Sequence, residues 1–139
     1  MVFVQNLHYG KQKEEIAKEF FEADQIVTAP KGFFSYWDIC LKYGNEETYI
    51  EVKSDRNTSK TGNICIEFES NYEPSGISIT KADYYFYMVE GEDCNYLIPV
   101  DDIKDMIQQN LYHSQRKLGH KLLSNCYLFD RSLFDQYIF

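Results

Sequence analysis

The sequence predicts an α/β domain in which a mixed β-sheet is flanked by helices, in the order αβββ(α)ββα, with residues 1–139 forming one unit. Three observations predict it. Residues 11–24 place Ile16, Ala17, Phe20 and Phe21 at helical spacing. Several short runs rich in aromatic and β-branched residues are bounded by Gly, Pro or Asn, as strands are. Helix-period and strand-period segments are interspersed, the pattern of a sheet with helices on its faces. At 44% hydrophobic and 17% aromatic, the chain can bury a core of its own, which excludes a disordered chain.

The elements follow in order. After the first helix, a turn near Pro30-Lys31-Gly32 leads to a hairpin whose strands are Tyr36–Leu41 and Thr48–Val52, with Gly44-Asn45-Glu46-Glu47 as its turn. Ile64, Ile66 and Phe68 alternate with Cys65, Glu67 and Glu69, predicting a third strand with one buried face. Residues 77–83 read as a short helix or turn, Tyr84–Val89 as a strand, Gly91-Glu92-Asp93 as a turn and Tyr96–Pro99 as a short strand. Asp101 then reads as the N-cap of a helix holding Ile103, Met106, Ile107 and Leu111. The apolar tail 122–139 either completes the sheet and packs on the core or supplies the surface of a homodimer.

Chemistry concentrates in the hairpin. Side chains alternate along a strand, so Glu51 and Lys53 share a face while Val52 points into the core. If the hairpin pairs symmetrically about the four-residue turn, Asp38 lies opposite Lys53 and diagonal to Glu51. Two carboxylates and an ammonium then converge. Asp38 and Glu51, helped by the backbone carbonyl of Val52, make a hard-oxygen site suited to Mg²⁺ or Mn²⁺, and Lys53 can orient or help deprotonate a water. Such a cation acidifies water and offsets charge on a phosphate, which is what phosphodiester hydrolysis requires.

Asp38 followed by Glu51-Val52-Lys53 resembles the PD-(D/E)XK nuclease superfamily, whose signature is an acid at one strand end and Glu-x-Lys on the next strand. Upstream, Gly10, Glu14 and Ala17 are similar to the first-helix pattern of small resolvase-like members. Downstream, Glu51 to Arg56, Thr61-Gly62-Asn63-Ile64 and the stretch from Ser75 to Tyr84 are similar to small phage and viral members. Trp37 stands where the family's name-giving Pro would be. The resemblance implies a restriction-endonuclease-like fold and a Mg²⁺-dependent DNA endonuclease from a phage, virus or mobile element, with branched DNA such as a Holliday junction among its substrates. It implies catalytic roles for Glu14, Asp38, Glu51 and Lys53, with Glu14 completing the acidic cluster directly or through water. Glu67 is a supporting residue of the site at most.

A net charge of −8 opposes binding to a polyanion at long range, but its distribution is uneven. Acids crowd the first helix, whereas none lies between Met106 and Phe129, a stretch containing Arg116, Lys117 and Lys121. These three, with Arg56, Lys60 and Lys81, are the expected DNA contacts, although a solvated helix face accounts equally well for the basic stretch. The alternative of a different class is a non-catalytic protein of nuclease fold that binds nucleic acid or mimics its charge.

No apolar run approaches the roughly 20 residues that span a bilayer, and the N-terminus lacks a signal peptide's layout, so no membrane partner and an intracellular protein are expected. Cys40, Cys65, Cys94 and Cys126 are widely separated and show no zinc or disulfide spacing. His8, His113 and His120 likewise show no ligand spacing.

Overall fold

The computed structural model describes residues 13–30, 32, 34–118 and 123–139. The fold is mixed α/β, but the expected single sheet is two. One has five strands in the order β1 (Gln25–Thr28), β2 (Ile39–Tyr43), β3 (Glu46–Asp55), β6 (Tyr84–Val89) and β7 (Cys94–Pro99). The other has four, in the order β5 (Glu73–Pro74), β4 (Asn63–Ser70), β9 (Ser124–Asp130) and β8 (Ser114–Leu118). The first sheet is mixed, because β3 and β6 run parallel while its other pairs are antiparallel. A parallel pair needs a long crossover. Here that crossover carries the helix α2 (Thr58–Thr61), β4, β5 and a 3₁₀ turn (Gly76–Ser78).

The first helix, α1, is helical among the described residues only over 13–18, short of the expected end at residue 24. Amides of Glu19, Phe20 and Phe21 bond carbonyls three residues back, the tightened geometry of a helix end. Leaving the helix lets the consecutive Phe20 and Phe21 both reach Phe86, at ring distances of 5.3 and 5.1 Å. The chain then forms β1, a short edge strand absent from the expected order.

Each face of the first sheet has its own core. On one side Ile39, Leu41, Ile50, Val52, Phe86 and Met88 pack with Ala17 of α1. On the other, Tyr85, Tyr87, Tyr96 and Ile98 pack against Ile64 and Ile66 of β4 and Phe129 of β9. That core is closed by Ile103 of α3 (Val100–Gln108) and by Phe134 of the terminal 3₁₀ segment (Arg131–Tyr137). The tail therefore packs on the core as a strand of the second sheet. Three details differ from expectation. Pro99, not Asp101, is the N-cap of α3, and Asp101 lies in its first turn. Leu111 lies beyond the helix. Arg116 and Lys117 lie on β8, a strand, and not on the solvated helix face that is one of two readings of the basic stretch. Among the described residues no helix is long and apolar enough to cross a membrane.

Candidate functional site

The site is built where β2 ends against the middle of β3. The Asp38 amide donates to the Ile50 carbonyl (2.9 Å), and the Val52 amide donates to Asp38 Oδ2 (2.7 Å). These two bonds fix the acid at the mouth of the hairpin. The turn is Gly44-Asn45 alone, with Gly44 at φ +58°, and Glu46 and Glu47 belong to β3. The ladder pairs Ile39 with Ile50, so its continuation puts Asp38 opposite Glu51, not opposite Lys53 as the longer turn would. A shift of two residues preserves which face each side chain takes, whereas a shift of one would not. The convergence on one face thus survives the corrected register.

Glu51 Oε1 lies 3.6 Å from Lys53 Nζ, and the Glu51 side chain is only 12% exposed. Burial pushes its carboxyl up to about 7, with Lys53 opposing the rise and Asp38 adding to it. Burial likewise raises Glu14 above the usual carboxylate range, with Asp38 its next largest influence. For Lys53, burial favours the neutral amine, but Glu51, Asp38 and Glu67 outweigh it and raise its pKa. Lys53 is therefore a firmly held ammonium, suited to donating rather than to removing a proton from water. Lys13 was not singled out from sequence, although it adjoins Glu14. Burial and then Lys53 lower its pKa, which places it beside the same cluster.

The donor set suits a divalent cation. The Asp38 charge adds to the rise in the Glu51 carboxyl, the electrostatic condition that a cation relieves. Within a strand a residue's N–H and C=O point to the same edge, so the Val52 carbonyl is directed beside Asp38, past the end of β2. Among the described residues no three His, Cys, Asp or Glu groups are gathered as a ready ligand set. Glu51 is paired with Lys53, so a cation shared with Asp38 would compete with that ion pair.

Glu67 is held apart by its own bonds, accepting from Ser75 Oγ (3.1 Å) and Ser124 Oγ (2.5 Å). Gly76 makes this packing possible. It adopts φ +52°, and a Cβ there would lie 2.3 Å from the Glu67 carbonyl oxygen. Asp55, third in the Glu51-Lys53-Asp55 row, is consumed locally: it accepts from the amides of Asn57 and Thr58 and from the Tyr87 hydroxyl. One polar residue on this face was missed from sequence because it lies in an aromatic strand. Tyr85, the register partner of Glu51, is 1% exposed, and its hydroxyl has no hydrogen-bond partner among the described residues.

Beyond Lys53 the row opens into a cleft of about 470 Å³, lined by Ser54, Asp55, Arg56, Asn57, Asn63 and Arg116, among others. The fold thus brings Arg56 and Arg116 together although they stand sixty positions apart in sequence. Arg56 pairs with Glu90 at 3.3 Å. The other expected contacts are scattered. Lys60 is exposed in the last turn of α2, Lys81 sits 4.3 Å from the Tyr36 ring and Lys117 sits 5.3 Å from the Tyr72 ring. Lys121, like His8 and His120, lies outside the described residues. Comparison of the chain with protein-family models, with curated proteins and with solved structures found no match.

Proposed function

We propose that the protein is a divalent-cation-dependent nuclease of PD-(D/E)XK type that hydrolyses phosphodiester bonds of DNA, with a four-way junction as the first branched substrate to try. The observation that carries this reading is the Asp38–Val52 clasp, which sets two carboxylates and an ammonium on one face of the hairpin. Asp38, Glu51 and the Val52 carbonyl would hold Mg²⁺ or Mn²⁺, with Glu14 beside them. The cation would supply Lewis acidity at the phosphate and a more acidic water.

The chain's own groups do the rest. Glu51 loses its proton near neutral pH and so becomes an anionic ligand in the physiological range. Lys53, kept charged by its carboxylate neighbours, donates to a phosphoryl oxygen and offsets the negative charge that grows there in the transition state. Arg116 and Arg56 border the cleft beside this point, where the adjoining phosphates of a strand would run.

Net charge favours one other reading. At −8 the chain could be a DNA mimic that occupies a partner's basic groove. A lysine amid carboxylates weakens such a mimic. The experiment is incubation with linear, single-stranded and branched DNA in Mg²⁺, Mn²⁺ or chelator. Cation-dependent cutting lost in Glu51→Gln is expected, and a wild type that cuts no DNA of any shape would overturn the nuclease reading.

A further inference from the structure

Two tyrosines stand on the same face of β6, in successive register with the site: Tyr85 opposite Glu51 and Tyr87 opposite Lys53. Both are 1% exposed. Their hydroxyls are treated differently by the fold. That of Tyr87 donates to Asp55, accepts from the Cys65 amide at 3.2 Å and lies 3.4 Å from Thr58 Oγ1. That of Tyr85 is shielded from solvent and, among the described residues, bonds nothing. A buried hydroxyl without a partner is a cost that a phenylalanine of the same shape would remove.

Tyr85 belongs to the core formed with Ile64, Ile66 and Phe129, and burial is the largest influence raising the pKa of its hydroxyl. The charges that act on it most are those of Glu51, Glu67 and Asp38, in that order. These carboxylates act on it through space, and it bonds none of them. Glu67 is already engaged by Ser75 and Ser124, and Asp38 is held by Val52. Glu51 is instead paired with Lys53 at 3.6 Å, a longer contact than those that hold Glu67 and Asp38. It is also the carboxylate directly across the ladder from Tyr85.

We propose that Tyr85 is a positioning residue acting through Glu51: when a divalent cation enters the site, Glu51 turns from Lys53 and its outer carboxylate oxygen accepts a hydrogen bond from the Tyr85 hydroxyl. The bond fixes the carboxylate for the cation without adding a competing positive charge, and it leaves the Lys53 ammonium to the phosphate. Groups that orient a metal's ligands in this way tune its affinity. This inference rests on the cation-site reading given above.

The test is calorimetric titration of the full chain with Mn²⁺, for wild type, Tyr85→Phe and Tyr87→Phe, with melting measured in chelator. Tyr85→Phe is expected to melt at or above the wild-type temperature and to bind Mn²⁺ about tenfold more weakly. Tyr87→Phe, which loses satisfied bonds, is expected to melt lower with Mn²⁺ affinity unchanged. Wild-type affinity in Tyr85→Phe would overturn the inference and leave the cation site standing, the hydroxyl then being served by buried water. Equal weakening in both variants would overturn it too, by tracing the effect to packing. A wild type that binds no Mn²⁺ would overturn the site reading and this inference together.

Discussion

Asp38 and Val52 are joined across the hairpin mouth by a 2.7 Å hydrogen bond from the Val52 amide to the Asp38 carboxylate. One oxygen of the acid thus completes the backbone pairing of β3 where β2 has ended, and the other remains for chemistry. Asp38→Ala should therefore cost both fold and site: about 1–3 kcal/mol of stability for the orphaned, part-buried amide, and loss of cation binding. Asp38→Asn separates the two, since its amide oxygen still accepts from Val52 while the charge is gone. Denaturant melts of Asp38→Asn should approach wild type, and calorimetry with Mn²⁺ should show binding lost.

Glu51 makes stability depend on pH. Its carboxyl sits near 7 in the folded chain, above its ordinary value of 4.5, so the folded state holds a proton that the unfolded chain releases. The stabilisation is full below about pH 4.5 and disappears as pH rises through about 7. Wild type should lose more melting temperature between pH 5.5 and pH 8 than Glu51→Gln does. Added Mg²⁺ should restore part of the loss in wild type alone, because the cation binds the ionised form.

Lys53→Met keeps the stem's apolar contacts and removes the ammonium. The Lys53 side chain is 34% exposed, so its pairing with Glu51 contributes on the order of 1 kcal/mol and the variant should fold. Cleavage should fall by roughly 10²-fold or more while DNA binding persists, because the charge acts on the transition state. Gel assays of cutting and binding on the same substrate check this, and unchanged cutting would remove Lys53 from the mechanism.

Arg116 lines the cleft next to the site and has an exposed side chain on β8. If the cleft carries a DNA backbone, Arg116→Ala should weaken binding in chelator and lower the slope of log affinity against log salt by about 1. An unchanged slope would shift the contact to other lysines and arginines of the chain.

Gly76→Ala probes the support beneath Glu67. The added methyl would meet the Glu67 backbone carbonyl at 2.3 Å on a backbone with positive φ. A loss of about 2 kcal/mol or more in a urea melt is expected.

Much of the first sheet could be read from period alone. The strand Tyr84–Val89 has the bounds expected of it, and alternation along β3 puts Glu51 and Lys53 on one face and Val52 on the other whatever strand lies beside them. Register was not legible. It turned on whether Glu46 and Glu47 belong to the turn or to the strand, and both residues suit either; closure by the Gly44-Asn45 turn settled it by two positions. Helix length was also misread, because Phe20 and Phe21 extend the apolar stripe in sequence while in space both rings turn toward Phe86.

The chain by itself determined an α/β domain and the residue types for oxygen-donor chemistry, since composition, strand period and the Glu-x-Lys spacing are local properties. Tertiary structure alone decided that β4 leaves the first sheet to pair with β9, that Arg56 and Arg116 share a cleft, and that Tyr85, with its buried and unbonded hydroxyl, stands across the ladder from Glu51. The reason is physical. Alternation tells a side chain which face to take, but the neighbour it meets there depends on pairings between segments far apart in sequence, which are selected by burying both faces of the first sheet at once.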